Sequence, residues 1–191
     1  VGMDISAGIL ADVPGPVLVG DATALPFANH SAVAVLAMHM LYHVADIPSA
    51  LTEVARVLRP GGVFIASTNA SDDKAELDDL WSAAAADVLG IDRGPRRISL
   101  SNRFSLDDAR VVLSEHFTHV GVLPLIGTIT VHNPEPVIAH LGSYRAWAES
   151  SDVPFDATLD RARYLLTAAF VRDGIFRITC RGGIVVGQAP A

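Results

Sequence analysis

Apolar residues occur in short, uninterrupted runs in the early part of the chain. One run, Val17–Val19, ends at Gly20 and Asp21, and a second, Ala32–Met38, contains only apolar residues. A run without alternation is typical of a strand that is buried on both faces of a parallel sheet, although a buried helix gives the same pattern. The segments that follow favour strands, so the sequence predicts a strand at each run.

A helical pattern begins at Ile47, where apolar residues recur every three or four positions and therefore share one face. That face consists of Ile47, Leu51, Val54 and Leu58. Asp46 is suited to cap the helix, and Pro48 falls in its first turn, where a missing N–H costs little. The charged residues fall on the opposite, polar side: Glu53, Arg56 and Arg59.

The helix is predicted to end in the turn Arg59-Pro60-Gly61-Gly62. A proline disfavours helical geometry at the residue before it, and the two glycines allow a left-handed exit. Residues 63–66 then form another short apolar run. Strand, helix and strand joined by tight turns predict a right-handed parallel crossover.

Three motifs occur in this region, and they are Asp21-Ala22-x-x-Leu25-Pro26-Phe27, Met40-Leu41-Tyr42-His43-Val44 and Leu51-x-Glu53-x-x-Arg56-Val57-Leu58-Arg59-Pro60-Gly61-Gly62. In this order and at these separations, they are similar to those of the class I S-adenosylmethionine-dependent methyltransferases that act on small molecules. The resemblance implies an α/β fold: a Rossmann-like, mostly parallel sheet with helices on both faces and an antiparallel C-terminal hairpin. It also implies S-adenosyl-L-methionine as cofactor and S-adenosyl-L-homocysteine as product.

The same resemblance assigns the adenosine-binding residues. A carboxylate at the tip of the second family strand accepts hydrogen bonds from the ribose hydroxyls, which makes Asp4 the ribose ligand and lays Ile5 against the adenine. The alternative for Asp4 is a cap on a short helix at 7–13. Asp21 would accept from the adenine amino group while the Ala22 N–H reaches a ring nitrogen. Its alternative is a turn with Gly20.

The residues after the second apolar run are expected at the crevice where a doubly wound sheet binds its ligand. The resemblance places the backbone of Ala37 and Met38 along the methionine and sulfonium part of the cofactor. His39 and His43 are the candidate catalytic residues: His39 as a proton acceptor, and His43 more as a cofactor-packing residue. Their i, i+4 spacing is compatible with a metal pair, but no glutamate follows His39 and no third ligand is evident, so no metal site is predicted.

The family places its first strand and a glycine-rich cofactor loop before the position of Asp4. This sequence contains no such loop, because Gly61-Gly62 follows a helix and Gly182-Gly183 falls in the predicted last hairpin. We therefore expect that the loop belongs to a preceding segment outside the sequence given. Whether this chain alone binds the cofactor is left open.

Composition narrows the class of protein. Half of the 191 residues are apolar and 18% are charged, which excludes an intrinsically disordered chain. The net charge of −7 argues against a nucleic-acid partner. No apolar stretch reaches the roughly 20 residues of a membrane span, and Cys180, the single cysteine, cannot form an intramolecular disulfide. We expect a cytoplasmic protein, and its arginine and alanine bias indicates a bacterial source.

We predict a single methyltransferase-like domain over 1–191, with a helical insertion at 133–173. Two helices are predicted in the insertion, at about 137–149 and 157–172. Their aromatic residues would wall a site for an organic substrate: Tyr144, Trp147, Phe155 and Tyr164. A homodimer surface or plain core are the alternatives. A basic cluster at 93–97 is either a solvated loop or a partner for an anionic substrate group. Gly182-Gly183 is predicted to form the tight turn of the closing hairpin.

The predicted function is methyl transfer from S-adenosylmethionine to a small organic acceptor at oxygen, nitrogen or carbon. One alternative is a non-catalytic protein of the same fold, or a partner subunit, that has lost the cofactor. A second is an NAD(P)-dependent oxidoreductase, which the closing hairpin and the Asp21-Ala22 motif disfavour.

Overall fold

The structure, a computed structural model, describes residues 1–97, 100–150 and 153–191. These residues group into two compact units. The first comprises Val1–Ser71, Leu100–Pro124 and Gly182–Ala191, and the second comprises Asp72–Ser99 and Leu125–Arg181. The single domain over 1–191 stays a prediction. The expected insertion at 133–173 belongs to the second unit, and its positions 151 and 152 lie outside the described residues.

The first unit begins with two short parallel strands. The strands β1 (Gly2–Asp4) and β2 (Val17–Val19) are connected through the four-residue helix α1 (Ala7–Leu10), which is shorter than expected. The register pairs Gly2 with Val17 and Asp4 with Val19. Because the strands are parallel and in register, their carboxyl ends meet at the same edge.

The predicted crossover is present in the same unit. It consists of β3 (Ala32–Met38), α2 (Ile47–Val57) and β4 (Leu58–Asn69), and β3 pairs with β4 in parallel. The Asp46 side chain caps α2 by accepting a hydrogen bond from the Ser49 N–H at 3.0 Å. The mixed α/β fold that the motifs imply is therefore confirmed.

The expectation that β3 is buried on both faces is wrong. Two later strands, β5 (Thr118–Val131) and β6 (Phe176–Gln188), complete a sheet with the order β3-β4-β6-β5. β3 lies at the end of this order, so β4 is its only hydrogen-bonded neighbour among the described residues. Three large apolar side chains of β3 are exposed: Val33 by 61%, Leu36 by 64% and Met38 by 49%. The pattern predicted the strand correctly, but not its position at the edge of the sheet.

The last strand differs from the predicted hairpin. The antiparallel C-terminal strand is confirmed, but β6 (Phe176–Gln188) runs without a turn through Gly182 and Gly183, which pair with Asn69 and Thr68 of β4. A close approach explains Gly183. A Cβ there would lie 2.6 Å from the Leu123 carbonyl oxygen, so no larger residue fits without a shift.

The core of the first unit lies between its sheet and the helices α2 and α4 (Leu106–Ser114). Five of its large side chains are at most 1% exposed: Leu51, Phe64, Phe104, Leu113 and Val185. The buried Thr68 hydroxyl donates to the Phe104 carbonyl at 2.6 Å, so this polar group is satisfied inside an apolar region. The strand β5 (Thr118–Val131) begins in this unit and, like β6, continues into the second.

The second unit is mainly helical. Its helices are α3 (Ala75–Leu89), α5 (Glu135–Gly142) and α6 (Phe155–Asp173), and a 3₁₀ helix at Ser143–Ser150 follows α5. The helix predicted at 137–149 is therefore two elements. The unit has its own buried apolar cluster, which includes Leu77, Trp81, Ala85, Leu141 and Leu166.

Candidate functional site

The two aspartates of the predicted adenosine site end neighbouring strands. Asp4 is the last residue of β1, and Asp21 follows β2 after Gly20. The Gly20 N–H donates to the Asp4 carbonyl at 3.0 Å and so extends the pairing of the strands by one residue. Asp4 and Asp21 are thus brought to the same edge of the β1–β2 pair.

The Asp4 carboxylate is half-buried and uses one oxygen locally. Its Oδ1 accepts a hydrogen bond from the Ser6 N–H at 2.7 Å, an Asx-turn contact that fixes the side chain at the strand end. Its Oδ2 has no donor among the described residues, so it can accept from a ligand. The neighbouring Ile5 is 72% exposed, which leaves an apolar surface beside the carboxylate.

Asp21 is arranged in a similar way. Its Oδ1 accepts from both the N–H and the hydroxyl of Thr23, each at 2.8 Å. These contacts, the backbone one first, lower the pKa of Asp21 and keep the carboxylate ionised. Its Oδ2 also has no donor in the part of the chain that the structure describes. Ala22 is half-buried beside it.

Glu53 and Arg56 hold the loop that follows Asp21, a role that the sequence pattern did not show. The Arg56 guanidinium donates to both oxygens of Glu53, Nε to Oε1 and Nη2 to Oε2, each at 2.7 Å. Glu53 Oε2 also accepts from the Leu25 N–H at 2.8 Å. The guanidinium lowers the pKa of Glu53, which keeps this ion pair charged.

The remaining donors of Arg56 reach the same loop. Nη2 donates to the Leu25 carbonyl at 2.9 Å, and Nη1 donates to the Phe27 carbonyl and to Asn29 Oδ1, both at 2.8 Å. All five N–H donors of the guanidinium are therefore engaged. Glu53, Arg56 and Arg59 were expected on the polar side of α2. Glu53 and Arg56 instead bind the 25–29 loop to that helix.

The segment after β3 places the remaining site residues. Ala37 is buried at 5% exposure, whereas Met38 is 49% exposed. His39 has φ = 50°, and its N–H donates to the Ser67 carbonyl at 3.1 Å and to Ser67 Oγ at 3.0 Å. A left-handed histidine is uncommon and costs free energy, and these two hydrogen bonds hold the chain in that turn.

His39 and His43 both lie close to one tyrosine ring. The Tyr42 ring is edge-on to His39 at a centroid distance of 6.4 Å and is 4.6 Å from the His43 ring. Both histidines are exposed. The structure thus brings together the two candidate catalytic residues, and no metal-binding cluster of His, Cys, Asp or Glu occurs among the described residues.

The hydrogen-bond acceptors at the ends of β1 and β2 fit an adenosyl group. Ribose hydroxyls and an adenine amino group are donors that need acceptors, and Asp4 and Asp21 each retain one carboxylate oxygen for them. The exposed Ile5 side chain adds the apolar surface that a purine face needs.

The aromatic and basic residues considered for substrate binding all fall in the second unit. Phe155 belongs to its buried cluster, with its ring 5.3 Å from that of Trp81. Trp147 and Tyr164 are 41% and 63% exposed. Arg97 pairs with Asp78 at 2.8 Å, with both side chains only 9% exposed, so it is committed to that unit's interior.

Sequence comparisons agree with the motifs. Residues 1–66 match the model of the methyltransferase domain family. Malonyl-[acyl-carrier protein] O-methyltransferase 1 of Coxiella burnetii is 38% identical over 77 residues, which cover 40% of this chain and 27% of that protein. Demethylmenaquinone methyltransferase of a Mycobacterium species is 52% identical over 65 residues, 34% of this chain and 27% of that protein. These matches span only about a quarter of either relative.

Comparison with solved structures supports the fold. A protein from Anabaena variabilis, described as a methyltransferase from an antibiotic biosynthesis pathway, gives a TM-score of 0.61 at 16% identity, over 97% of this chain and 79% of that chain. A SAM-dependent methyltransferase from Thermotoga maritima gives a TM-score of 0.52 at 14% identity, over 99% and 72%. In the part of the chain that the structure describes, no helix is long and apolar enough to cross a membrane. Residues 1–66 of the chain are therefore similar in sequence to the methyltransferase domain family, and the chain as a whole shares the fold of these solved methyltransferases.

Proposed function

We propose that this protein transfers the methyl group of S-adenosyl-L-methionine to a small organic acceptor at oxygen, nitrogen or carbon. The observation that carries the proposal is the pair of aspartates at the adjacent ends of β1 and β2, each with one carboxylate oxygen left for a ligand. The methyltransferase-domain match over 1–66 supports it. The two relatives act on different acceptors, so their names single out none.

The residue roles in this proposal are those that the family resemblance implies, and the hydrogen-bonding capacity of the two carboxylates is compatible with them. Asp4 binds the ribose hydroxyls and Ile5 packs against the adenine. Asp21 accepts from the adenine amino group, with the Ala22 N–H as the matching donor. The backbone of Ala37 and Met38 lies along the methionine part of the cofactor, and the 25–29 loop, fixed by Arg56, keeps the segment after Asp21 in place.

Little acid–base help is needed for this reaction, because the bound cofactor supplies an activated methyl group for direct displacement. The protein contributes alignment of the acceptor and exclusion of water. An acceptor hydroxyl must also lose a proton, and an imidazole is suited to take it near neutral pH. We assign this task to His39, while His43 packs beside it through Tyr42. The proposed setting is the cytoplasm, and a homodimer stays a prediction.

Calorimetric titration of the full-length protein with S-adenosyl-L-homocysteine, and separately with NADH, tests the proposal. We expect S-adenosyl-L-homocysteine to bind and NADH not to bind. Binding of NADH alone would support the oxidoreductase alternative, and binding of neither would support a relative that has lost its cofactor. Methyl-labelled S-adenosyl-L-methionine, offered with quinone and acyl-carrier-protein acceptors of the kinds that the relatives' names indicate, then tests transfer itself.

A further inference from the structure

The Ser67 hydroxyl is a buried polar group in the interior of the sheet. Ser67 is 5% exposed, and it pairs with Met38 of β3 on one side and with Ile184 of β6 on the other. Among the described residues, the one hydrogen bond that its Oγ atom makes is from the His39 N–H, at 3.0 Å. Buried hydroxyl groups in native proteins are nearly always bonded, and here the bonded group is the backbone of the candidate base.

The His39 N–H is bonded twice to Ser67, and the two bonds have different origins. The Ser67 carbonyl accepts it at 3.1 Å and so continues the pairing of Met38 with Ser67 by one residue. Any residue at position 67 supplies that carbonyl. The second bond needs a side-chain oxygen, which alanine and the apolar residues lack. A substitution at position 67 can therefore remove one bond and keep the other.

The backbone conformation that these bonds stabilise is the left-handed one at His39, with φ = 50°. A residue other than glycine seldom adopts it, and it persists only where the surrounding contacts fix it. An extended residue at this point would continue β3. The left-handed residue instead leads the chain into the short 3₁₀ helix Leu41–His43, where the His43 N–H donates to the Met40 carbonyl at 2.9 Å.

The His39 side chain has little support of its own. It is exposed, and its ring makes no hydrogen bond among the described residues. Its ring contact is the edge-on one with Tyr42, at 6.4 Å between centroids. The rotamers open to a side chain depend on the backbone angles of its residue. The direction of the His39 imidazole is therefore governed by the backbone that Ser67 holds.

We propose that Ser67 is a positioning residue for methyl transfer, whose hydroxyl holds His39 in the left-handed conformation from which the imidazole takes the proton of an acceptor hydroxyl. The inference rests on the proposed function, which gives His39 that task. The proton passes from the acceptor oxygen to the unprotonated nitrogen of the imidazole, and the electron pair stays on the acceptor to form the bond to the methyl group. Displacing a reacting group by about 1 Å can cost on the order of a hundredfold in rate.

Steady-state kinetics of the full-length protein test the proposal, with methyl-labelled S-adenosyl-L-methionine and 1,4-naphthoquinol, a reduced quinone that carries hydroxyl groups. Ser67→Ala should lower kcat about tenfold and leave both KM values unchanged, because one of two hydrogen bonds to His39 is lost and no ligand contact is. Ser67→Thr keeps the Oγ atom and should retain the wild-type kcat. Thr68→Val is the matched control, since it removes a buried hydroxyl that bonds the Phe104 carbonyl. It should lower the thermal midpoint and leave kcat unchanged.

A double-mutant cycle separates positioning from a general loss of stability. His39→Gln should lower kcat, and adding Ser67→Ala to it should lower kcat no further, because no base is left to position. A purely structural effect of Ser67→Ala would add to that of His39→Gln. A second readout is independent of turnover: NMR couplings that report backbone φ should show His39 left-handed in the wild type and in Thr68→Val, and shifted towards extended angles in Ser67→Ala.

Four results would overturn the proposal: an unchanged kcat in Ser67→Ala, an equal fall of kcat in Thr68→Val, additive effects in the double variant, or a left-handed His39 retained in Ser67→Ala. Titration with S-adenosyl-L-homocysteine reports on the proposed function separately. Absence of binding to the wild type would overturn methyl transfer itself, whereas binding together with an unchanged kcat in Ser67→Ala would remove only the role of Ser67. If the wild type bound S-adenosyl-L-homocysteine but did not methylate 1,4-naphthoquinol, the role of His39 as base would be wrong, and this inference with it.

Discussion

Asp4 pairs in register with Val19 across β1 and β2, which places Asp4 and the Asp21 two residues beyond Val19 at one edge of a parallel strand pair. This relationship explains why two acids separated by a helix and a turn can serve one ligand. The local turns at Ser6 and Thr23 each occupy a single carboxylate oxygen and leave the second one for ligand donors.

Asp4→Asn is expected to weaken binding of S-adenosyl-L-homocysteine by about tenfold or more, because a neutral amide oxygen accepts more weakly than a carboxylate and the amide replaces one of the two acceptor oxygens with an NH2 donor. The measurement is calorimetric titration. Asp12→Asn, at an exposed acid of the same unit, is the matched control and should bind normally. Unchanged affinity in Asp4→Asn would remove this residue from the site.

Arg56→Lys is expected to lower the thermal midpoint and to weaken cofactor binding. Lysine has three donors on one nitrogen and cannot reproduce a planar group that bonds Glu53, Leu25, Phe27 and Asn29 at once. Differential scanning calorimetry and the same titration check both effects. Arg59→Lys, at an exposed arginine at the start of β4, should change neither the thermal midpoint nor cofactor binding. If both variants behaved alike, the loop would not depend on this guanidinium.

Gly183→Ala is expected to destabilise the protein by about 2 kcal/mol, because the new methyl group would meet the Leu123 carbonyl and the Leu106 side chain inside 3.0 Å. Urea unfolding followed by circular dichroism measures the change. Gly121→Ala is the matched control, since a Cβ at that strand position has no neighbour within 4 Å. A Gly183→Ala protein as stable as Gly121→Ala would show that β6 can shift at little cost.

The buried His140 is expected to make stability fall in mild acid. Its pKa is lowered in the folded state from the ordinary 6.5, first by burial and then by Arg97 and Lys74. Below pH 6.5 the unfolded chain therefore takes up a proton that the folded protein does not, and stability is lost as the pH falls further. The difference in thermal midpoint between wild type and His140→Gln should narrow from pH 7 to pH 5. A difference independent of pH would contradict the lowered pKa.

Elements that depend on local pattern could be predicted from the sequence. The strands at Val17–Val19 and Ala32–Met38, the helix α2 and its Asp46 cap all follow from spacing and nearby residues. The positions of Asp4 and Asp21 at strand ends follow from the same reasoning. Their assigned roles came from a family resemblance and stay a proposal.

Features that depend on contacts distant in sequence could not be predicted. Arg56 has the spacing of a solvated residue, and only the approach of the 25–29 loop shows what its donors bind. Gly183 has the pattern of a turn, but its small size is needed because the Leu123 carbonyl comes close. The burial of the His140 Nε2 atom, which has no hydrogen-bond partner among the described residues, likewise depends on packing that the sequence does not show.

The outer position of β3 has a consequence for handling the chain. The backbone N–H and C=O groups on the side of β3 away from β4 can pair with a strand of another chain. The exposed side chains of Val33, Leu36 and Met38 provide an apolar surface beside that edge. Molecules that meet along this line can add to one another's sheets without first unfolding. Association of chains in concentrated solution is therefore expected at this strand edge.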